Sequence, residues 1–307
     1  MTCNKHLVLI ASGGRTGTQF LGDNLSKIIT DCFSVHEPDM YKGICNPQTW
    51  QALYDFGFYH MIIGRILGKT GIRNLNQQYL TASKSDDALI KAIKQHRTQY
   101  LNRKKQGLII ESYYQWFGLY PLAEKAFPHV KFIGIIRDPR NWITSWMNHI
   151  NTHHTNNDWV NNLGFSRLSS NNIKPSNHLS SLDWKTLSPF EKNCWDWAII
   201  AEQLLHHDKT YEQAKLFRFE DLFLSGNKQA FIEEMLEFAT NFPDKSFPYE
   251  IDMALFSQKQ NASKKKVFSS WKDWSPELCQ QLDHICGPLM RELGYGAEPQ
   301  WHEKLQK

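Results

Sequence analysis

The chain has 307 residues, 41% of them hydrophobic and 21% charged, which is enough apolar material for a sizeable core and excludes a disordered chain. A formal net charge of +4 is too small to announce nucleic acid or a membrane surface, so neither partner is expected, yet it suits a pocket for a multiply charged anion. Six cysteines without a Cys-x-x-Cys pair or zinc spacing, a first apolar run too short for a signal peptide and no membrane-length run make a soluble protein of a reducing cytoplasm the expectation.

In chain order, short apolar runs at 7–12, 33–36, 107–111, 131–136 and 215–219 read as buried strands. Long segments with helical spacing separate them, the alternation of an α/β fold with a central parallel sheet. Residues 39–85, rich in aromatics, and 151–187, rich in Asn, Ser and His, read as insertions on that sheet. One domain is expected over 1–307. Residues 86–105 carry helical spacing and end in Arg103-Lys104-Lys105, a solvated helix terminus. Ser188-Pro189-Phe190-Glu191 supplies an N-cap, a proline at the first helical position and a capping-box glutamate for a helix to about His207. Ser275-Pro276-Glu277 opens the last long helix, with Gly294 as its C-cap. The eleven tryptophans suit the walls of a ligand cleft as well as a core.

The first strand runs into Ser12-Gly13-Gly14-Arg15-Thr16-Gly17-Thr18-Gln19-Phe20-Leu21, a glycine-containing basic turn followed by a helix. The first amides of such a helix lack internal partners and sit at the positive end of its dipole; Thr16 and Thr18 add hydroxyls and Arg15 a permanent charge. Together these make an oxyanion cradle. A nucleoside-triphosphate loop needs a lysine after its last glycine, and here Gly17 is followed by Thr18-Gln19. A second motif is Ile136-Arg137-Asp138-Pro139, a strand end followed by a capped helix, with Ser145 two turns in. A third is the basic turn Asn261-Ala262-Ser263-Lys264-Lys265-Lys266 running to Trp271.

These three motifs, in this order, resemble those of sulfotransferases that use 3′-phosphoadenosine 5′-phosphosulfate (PAPS). The first is similar to their 5′-phosphosulfate loop (Pro, Lys or Arg, Ser or Thr, Gly, Thr, Thr): Arg15, Thr16, Gly17 and Thr18 match, while Gly14 stands for the proline and Gln19 for a hydroxyl residue. Arg137 and Ser145 match the spacing of the 3′-phosphate motif, and Lys264 and Lys265 the basic pair of a late segment, with Lys266 on a glycine position. Phe219, in Phe217-Arg218-Phe219-Glu220-Asp221-Leu222, falls where the family has a tyrosine near adenine. The resemblance spans about 7–295 and implies a three-layer P-loop-type fold with helices flanking the sheet. It implies PAPS as donor, adenosine 3′,5′-bisphosphate as product, no metal, and a small-molecule or glycan acceptor sulfated on a hydroxyl or amine.

Arg15 is then the charge stabiliser for the leaving phosphate. Glu37 in Ser34-Val35-His36-Glu37-Pro38, some twenty residues past the loop, where the resemblance implies a catalytic glutamate, is the first choice of acceptor base; His36 and Glu111 remain open. Strand alternation places only one of His36 and Glu37 in the cleft. His149, His153 and His154 read as a solvated loop rather than metal ligands. Two rival readings stay in view: a P-loop kinase with Asp138 as magnesium ligand, and a non-catalytic anion-binding module.

Overall fold

The computed structural model describes residues 3–148, 168–174, 178–256 and 267–307. Five strands form one sheet: β1 (His6–Ser12), β2 (Cys32–His36), β3 (Leu108–Ser112), β4 (Val130–Ile136) and β5 (Ala214–Arg218). Every pairing is parallel, in the order β2-β3-β1-β4-β5. Each strand lies within a residue of its expected bounds. β1 and β4 are buried along their whole length, which is why they read as continuous apolar runs rather than alternating ones.

The strand order reverses beside β1, whose neighbours are β3 on one side and β4 on the other. In such sheets the crevice for a ligand opens at the carboxyl ends of the strands at that switch point. Successive β1 residues divide between two cores. Val8 and Ile10 pack with α1 (Thr18–Ile28) and a helix at Lys228–Thr240, while Leu7, Leu9 and Ala11 share the other core with the remaining long helices. The result is the expected three layers.

The 39–85 segment is helical rather than loop-like: α2 (Pro47–Phe56), a π-helical turn over Tyr59–Ile63, the short α3 (Gly64–Ile66) and α4 (Ile72–Leu80). It leads into α5 (Asp86–Asn102) and, after β3, α6 (Trp116–Ala126). Beyond β4 come α7 (Pro139–Met147) and α8 (Pro189–Thr210). Both open as their caps dictate: Asp138 accepts from the Arg140 amide, and Ser188 and Glu191 form a reciprocal capping box. β5 ends one residue short of the expected 219 and α9 (Phe219–Phe223) follows at once, so Phe219 is helical and not a strand residue. The Lys228–Thr240 helix is α10, Met253–Phe256 is α11, Pro276–Glu292 is α12 and Pro299–Leu305 is α13. Gly294 takes φ 76° just past α12, the left-handed stop expected there.

Candidate active site

The turn after β1 is held by its own strand and by α7. Ser12 Oγ accepts from the Gly14 amide at 3.0 Å and from Thr16 Oγ1 at 2.5 Å, and Trp142 Nε1 donates to the Gly14 carbonyl at 3.0 Å. The Thr16 hydroxyl therefore points inward, 1% exposed, and supports the turn, where sequence reasoning has it facing a ligand. Gly14, Arg15 and Gly17 have φ of 73°, 56° and 79°. For Arg15 that left-handed backbone is strained, and strain of this kind gathers at ligand clamps. At Gly17 only glycine fits, because a Cβ would stand 2.8 Å from the Phe223 ring. Thr18 and Gln19 then start α1, Thr18 buried and Gln19 exposed.

Two arginines converge here. Arg15 Nε donates to Ser145 Oγ at 3.1 Å, and Arg137 Nη1 donates to the Arg15 carbonyl at 3.0 Å. The first two motifs, 122 residues apart, thus form one surface at the end of β1 and β4. Burial lowers the pKa of both guanidiniums from the ordinary value, and Arg15 lowers that of Arg137 further while Glu220 opposes it. Arg137 stacks on the Phe219 ring at 4.7 Å, and its buried Nε has no hydrogen-bond partner. An electropositive surface with an unmet buried donor suits a multiply charged anion. A nucleotide bearing two phosphate groups fits these residues on that observation. Lys264, Lys265 and the histidines at 149, 153 and 154 lie outside the described residues.

Glu37 follows β2 at φ 48°, so strand alternation ends before it. His36 Nε2 and Glu37 Oε2 are 3.7 Å apart, with side chains 15% and 12% exposed. Because Glu37 is no longer extended, strand alternation does not send the two side chains to opposite faces. The Glu37 amide still bonds to the Ser112 carbonyl at 3.0 Å, which fixes the turn against β3. Burial pushes the Glu37 carboxyl up to about 7, with Asp39 reinforcing and Lys42, Arg65 and Arg73 opposing. Burial and Lys42 push His36 down to about 4, so its ring is neutral at pH 7. Glu111 is 2% exposed and its Oε1 accepts from Arg97 Nη2 and Trp116 Nε1, each at 3.0 Å. Arg97 also holds Asp39 at 3.1 Å, and His60 holds the same Asp39 oxygen at 3.0 Å. Glu111 thus belongs to a buried ionic network behind Glu37.

Beside the anion turn lies a cleft of about 110 Å³, lined by neither Arg15 nor Glu37. Gly13, Trp142 and Trp146 wall it on the side of the anion turn, Arg73 and Gln77 on the side of α4, and Tyr114 and Trp195 are among its aromatic faces. Arg73, on the cleft wall, is also one of the charges that oppose the rise of the Glu37 carboxyl. Sequence reasoning passed over Trp142 and Trp146, although both stand in the helix that carries Ser145. It also passed over Arg73 and Gln77, one turn apart on α4, because the 39–85 segment was read as irregular.

Asp138, the one candidate for a magnesium ligand, is committed elsewhere. Arg140 binds its carboxylate at 2.6 Å and reaches Glu298 at 2.8 Å, while its guanidinium lies 4.3 Å from the Trp271 ring and 5.2 Å from that of Trp301.

A family profile described as a sulfotransferase domain matches residues 7–181. Among curated proteins no match is found. Similar solved structures include the sulfotransferase domain from the curacin biosynthetic pathway, at TM-score 0.45 and 15% identity, covering 96% of this chain and 99% of that one. The sulfotransferase domain of the Synechococcus PCC 7002 olefin synthase has TM-score 0.45 and 14% identity, covering 97% of each chain. A sulfotransferase from Alicyclobacillus acidocaldarius has TM-score 0.41 and 13% identity, covering 98% of this chain and 99% of that one.

Proposed function

Since the chain belongs to the sulfotransferase domain family, we propose that it transfers a sulfuryl group from PAPS to a hydroxyl or amine of a small molecule or glycan. The observation that carries the reading is the joining of Arg15, Ser145 and Arg137 in one surface, with room beside it for an acceptor.

In this reading the turn from Gly14 to Gln19 and the first amides of α1 hold the 5′-phosphosulfate end. Arg137 and Ser145 hold the 3′-phosphate, and Phe219, stacked on Arg137, offers its ring to adenine. Lys264 and Lys265 close over the 3′-phosphate, as the resemblance implies. PAPS supplies an activated sulfur whose bond to the phosphate oxygen breaks as the acceptor's bond to sulfur forms. Arg15 meets the charge that gathers on the leaving phosphate. Glu37 takes the proton from the acceptor; a carboxyl raised to about 7 is matched to base work near neutral pH. Glu111 is less suited, since Arg97 and Trp116 already engage it. The acceptor lies in the cleft between Gly13 and Arg73, against the tryptophan walls.

The rival kinase reading lacks both the lysine after Gly17 and a disengaged Asp138. Thermal shift separates the two. Adenosine 3′,5′-bisphosphate without metal raises Tm, whereas ATP with Mg2+ gives a smaller shift. Arg137→Ala lowers affinity for the bisphosphate about 10- to 100-fold, the loss of a charge-assisted contact. A larger shift with ATP and Mg2+, or unchanged bisphosphate affinity in the variant, overturns the assignment.

A further inference from the structure

The large apolar side chains that stand exposed among the described residues are concentrated in one segment. All but Leu224 and Val267 fall between residues 40 and 67. On α2, Trp50 and Tyr54 face outward, one turn apart and 59% and 75% exposed. On the helical stretch that follows, Tyr59, Ile63 and Ile66 do the same at helical spacing. The inward faces carry Thr49, Ala52, Asp55, His60, Met61 and Gly64, so Met61 is the one large apolar side chain of the pair that is fully buried. A helical pair on a water-facing surface ordinarily shows the opposite arrangement, with its apolar stripe toward the core. A concentration of exposed apolar side chains marks a surface that meets something other than water.

Charge says what. Residues 40–85 hold five basic side chains, Lys42, Arg65, Lys69, Arg73 and Lys84, and a single acid. That acid, Asp55, is buried and paired with Lys104 at 3.3 Å. Lys42 and Lys69 are exposed, and Arg103 lies 5.5 Å from the Tyr54 ring. Basic groups around outward Trp, Tyr, Phe, Ile and Leu suit the boundary between lipid headgroups and acyl chains. A two-fold contact with a second copy of the chain would set these basic groups against themselves. We infer that the 40–67 helical pair docks on the surface of an anionic lipid bilayer. No helix among the described residues is long and apolar enough to cross a membrane. The inference goes beyond the proposed chemistry and does not depend on it. It departs from the expectation of no membrane partner because that expectation used the net charge and the lack of a membrane-length run, whereas exposed apolar and basic groups are gathered in one segment.

Vesicle cosedimentation of the full chain tests this. Vesicles of phosphatidylcholine with about one third phosphatidylserine pull down the protein, and pure phosphatidylcholine does so at least tenfold less well. Because the screening length shortens to about 4 Å in 0.5 M salt, added NaCl weakens the binding. Tyr54→Ser/Phe58→Ser/Ile66→Ser, three exposed positions, lowers it at least tenfold with Tm and far-UV circular dichroism unchanged. Lys42→Glu/Lys69→Glu lowers it on anionic vesicles alone. No cosedimentation with anionic vesicles, equal binding by both variants and the parent, or a dimer of the parent that the triple variant abolishes would each overturn the proposal.

Discussion

Glu37 sets an acid where burial resists its charge, and the consequences can be read in two experiments. Its carboxyl is raised from the ordinary value of 4.5 to about 7. If it is the base, kcat/KM rises tenfold per pH unit below 7 and levels above it. Glu37→Gln removes that rise and lowers turnover about 100- to 10,000-fold while bisphosphate affinity stays the same. The stability effect has the opposite sign. Below pH 4.5 the group is protonated whether the chain is folded or not, so it costs nothing. As pH rises toward 7 the unfolded chain ionises first, and the folded state is penalised in full above 7. Glu37→Gln therefore stabilises the fold at pH 8.5 by up to about 3 kcal/mol and hardly at all at pH 4.5. Urea titrations at the two pH values measure this. Equal effects at both would mean the carboxyl is not raised.

The element that carries Glu37 is held from behind by ions rather than by apolar packing. Asp39, Arg97 and Glu111 are 0%, 1% and 2% exposed, and they tie the turn after β2 to α5 and β3, with His60 adding the helical pair. Burial works against the Asp39 carboxylate, yet Arg97 and His60 hold its pKa below the ordinary value. Removing one charge from such a set strands the others. Asp39→Asn should cost about 3–5 kcal/mol, seen as a lower urea midpoint with an unchanged slope. It also shifts the pH midpoint of activity downward, because Asp39 helps to raise Glu37. A drop in stability with no shift in the pH profile would leave Asp39 a purely structural residue. This network also shows where the sequence was legible. Strands, caps and the two anion motifs were readable because each depends on residues close in the chain: apolar runs, Ser188 with Glu191, Asp138 with Arg140. The link of Asp39 to Arg97 crosses 58 positions and that of Trp142 to Gly14 crosses 128, and no local pattern announces either. The 39–85 helices were missed for another reason. They are short and interrupted at Gly57, Gly68 and Gly71, so no apolar period runs far enough to announce a helix.

Across the molecule, three histidines are kept neutral by burial, and together they set its response to acid. His207, on α8, is 0% exposed, and burial pushes it down to about 4 against a hydrogen bond to the Phe117 carbonyl. His36, at the end of β2, is also brought to about 4. His96, on α5, is brought to about 3 by burial, His60 and Arg97, against Asp39. In the unfolded chain each takes up a proton near 6.5, while the folded protein takes none until pH nears 4. Stability is therefore complete above 6.5 and is lost as pH falls toward 4, by up to about 1.4 kcal/mol per pH unit for each histidine. Raised carboxyls act against this. Glu37 contributes most clearly, and Glu111 and Glu220 are also raised by burial. Three histidines outnumber the one acid raised to about 7, so stability falls on balance between pH 6 and 4.5, by at most about 3 kcal/mol per pH unit, with Glu111 and Glu220 acting against the loss. Urea denaturation at pH 7, 6 and 5 measures the slope. Because His207 sits far from the anion turn in the chain and bonds only through one ring nitrogen, His207→Gln should flatten the slope by about one histidine's share without changing bisphosphate affinity. A slope unaffected by that change would mean that the buried ring already carries its proton in the folded protein.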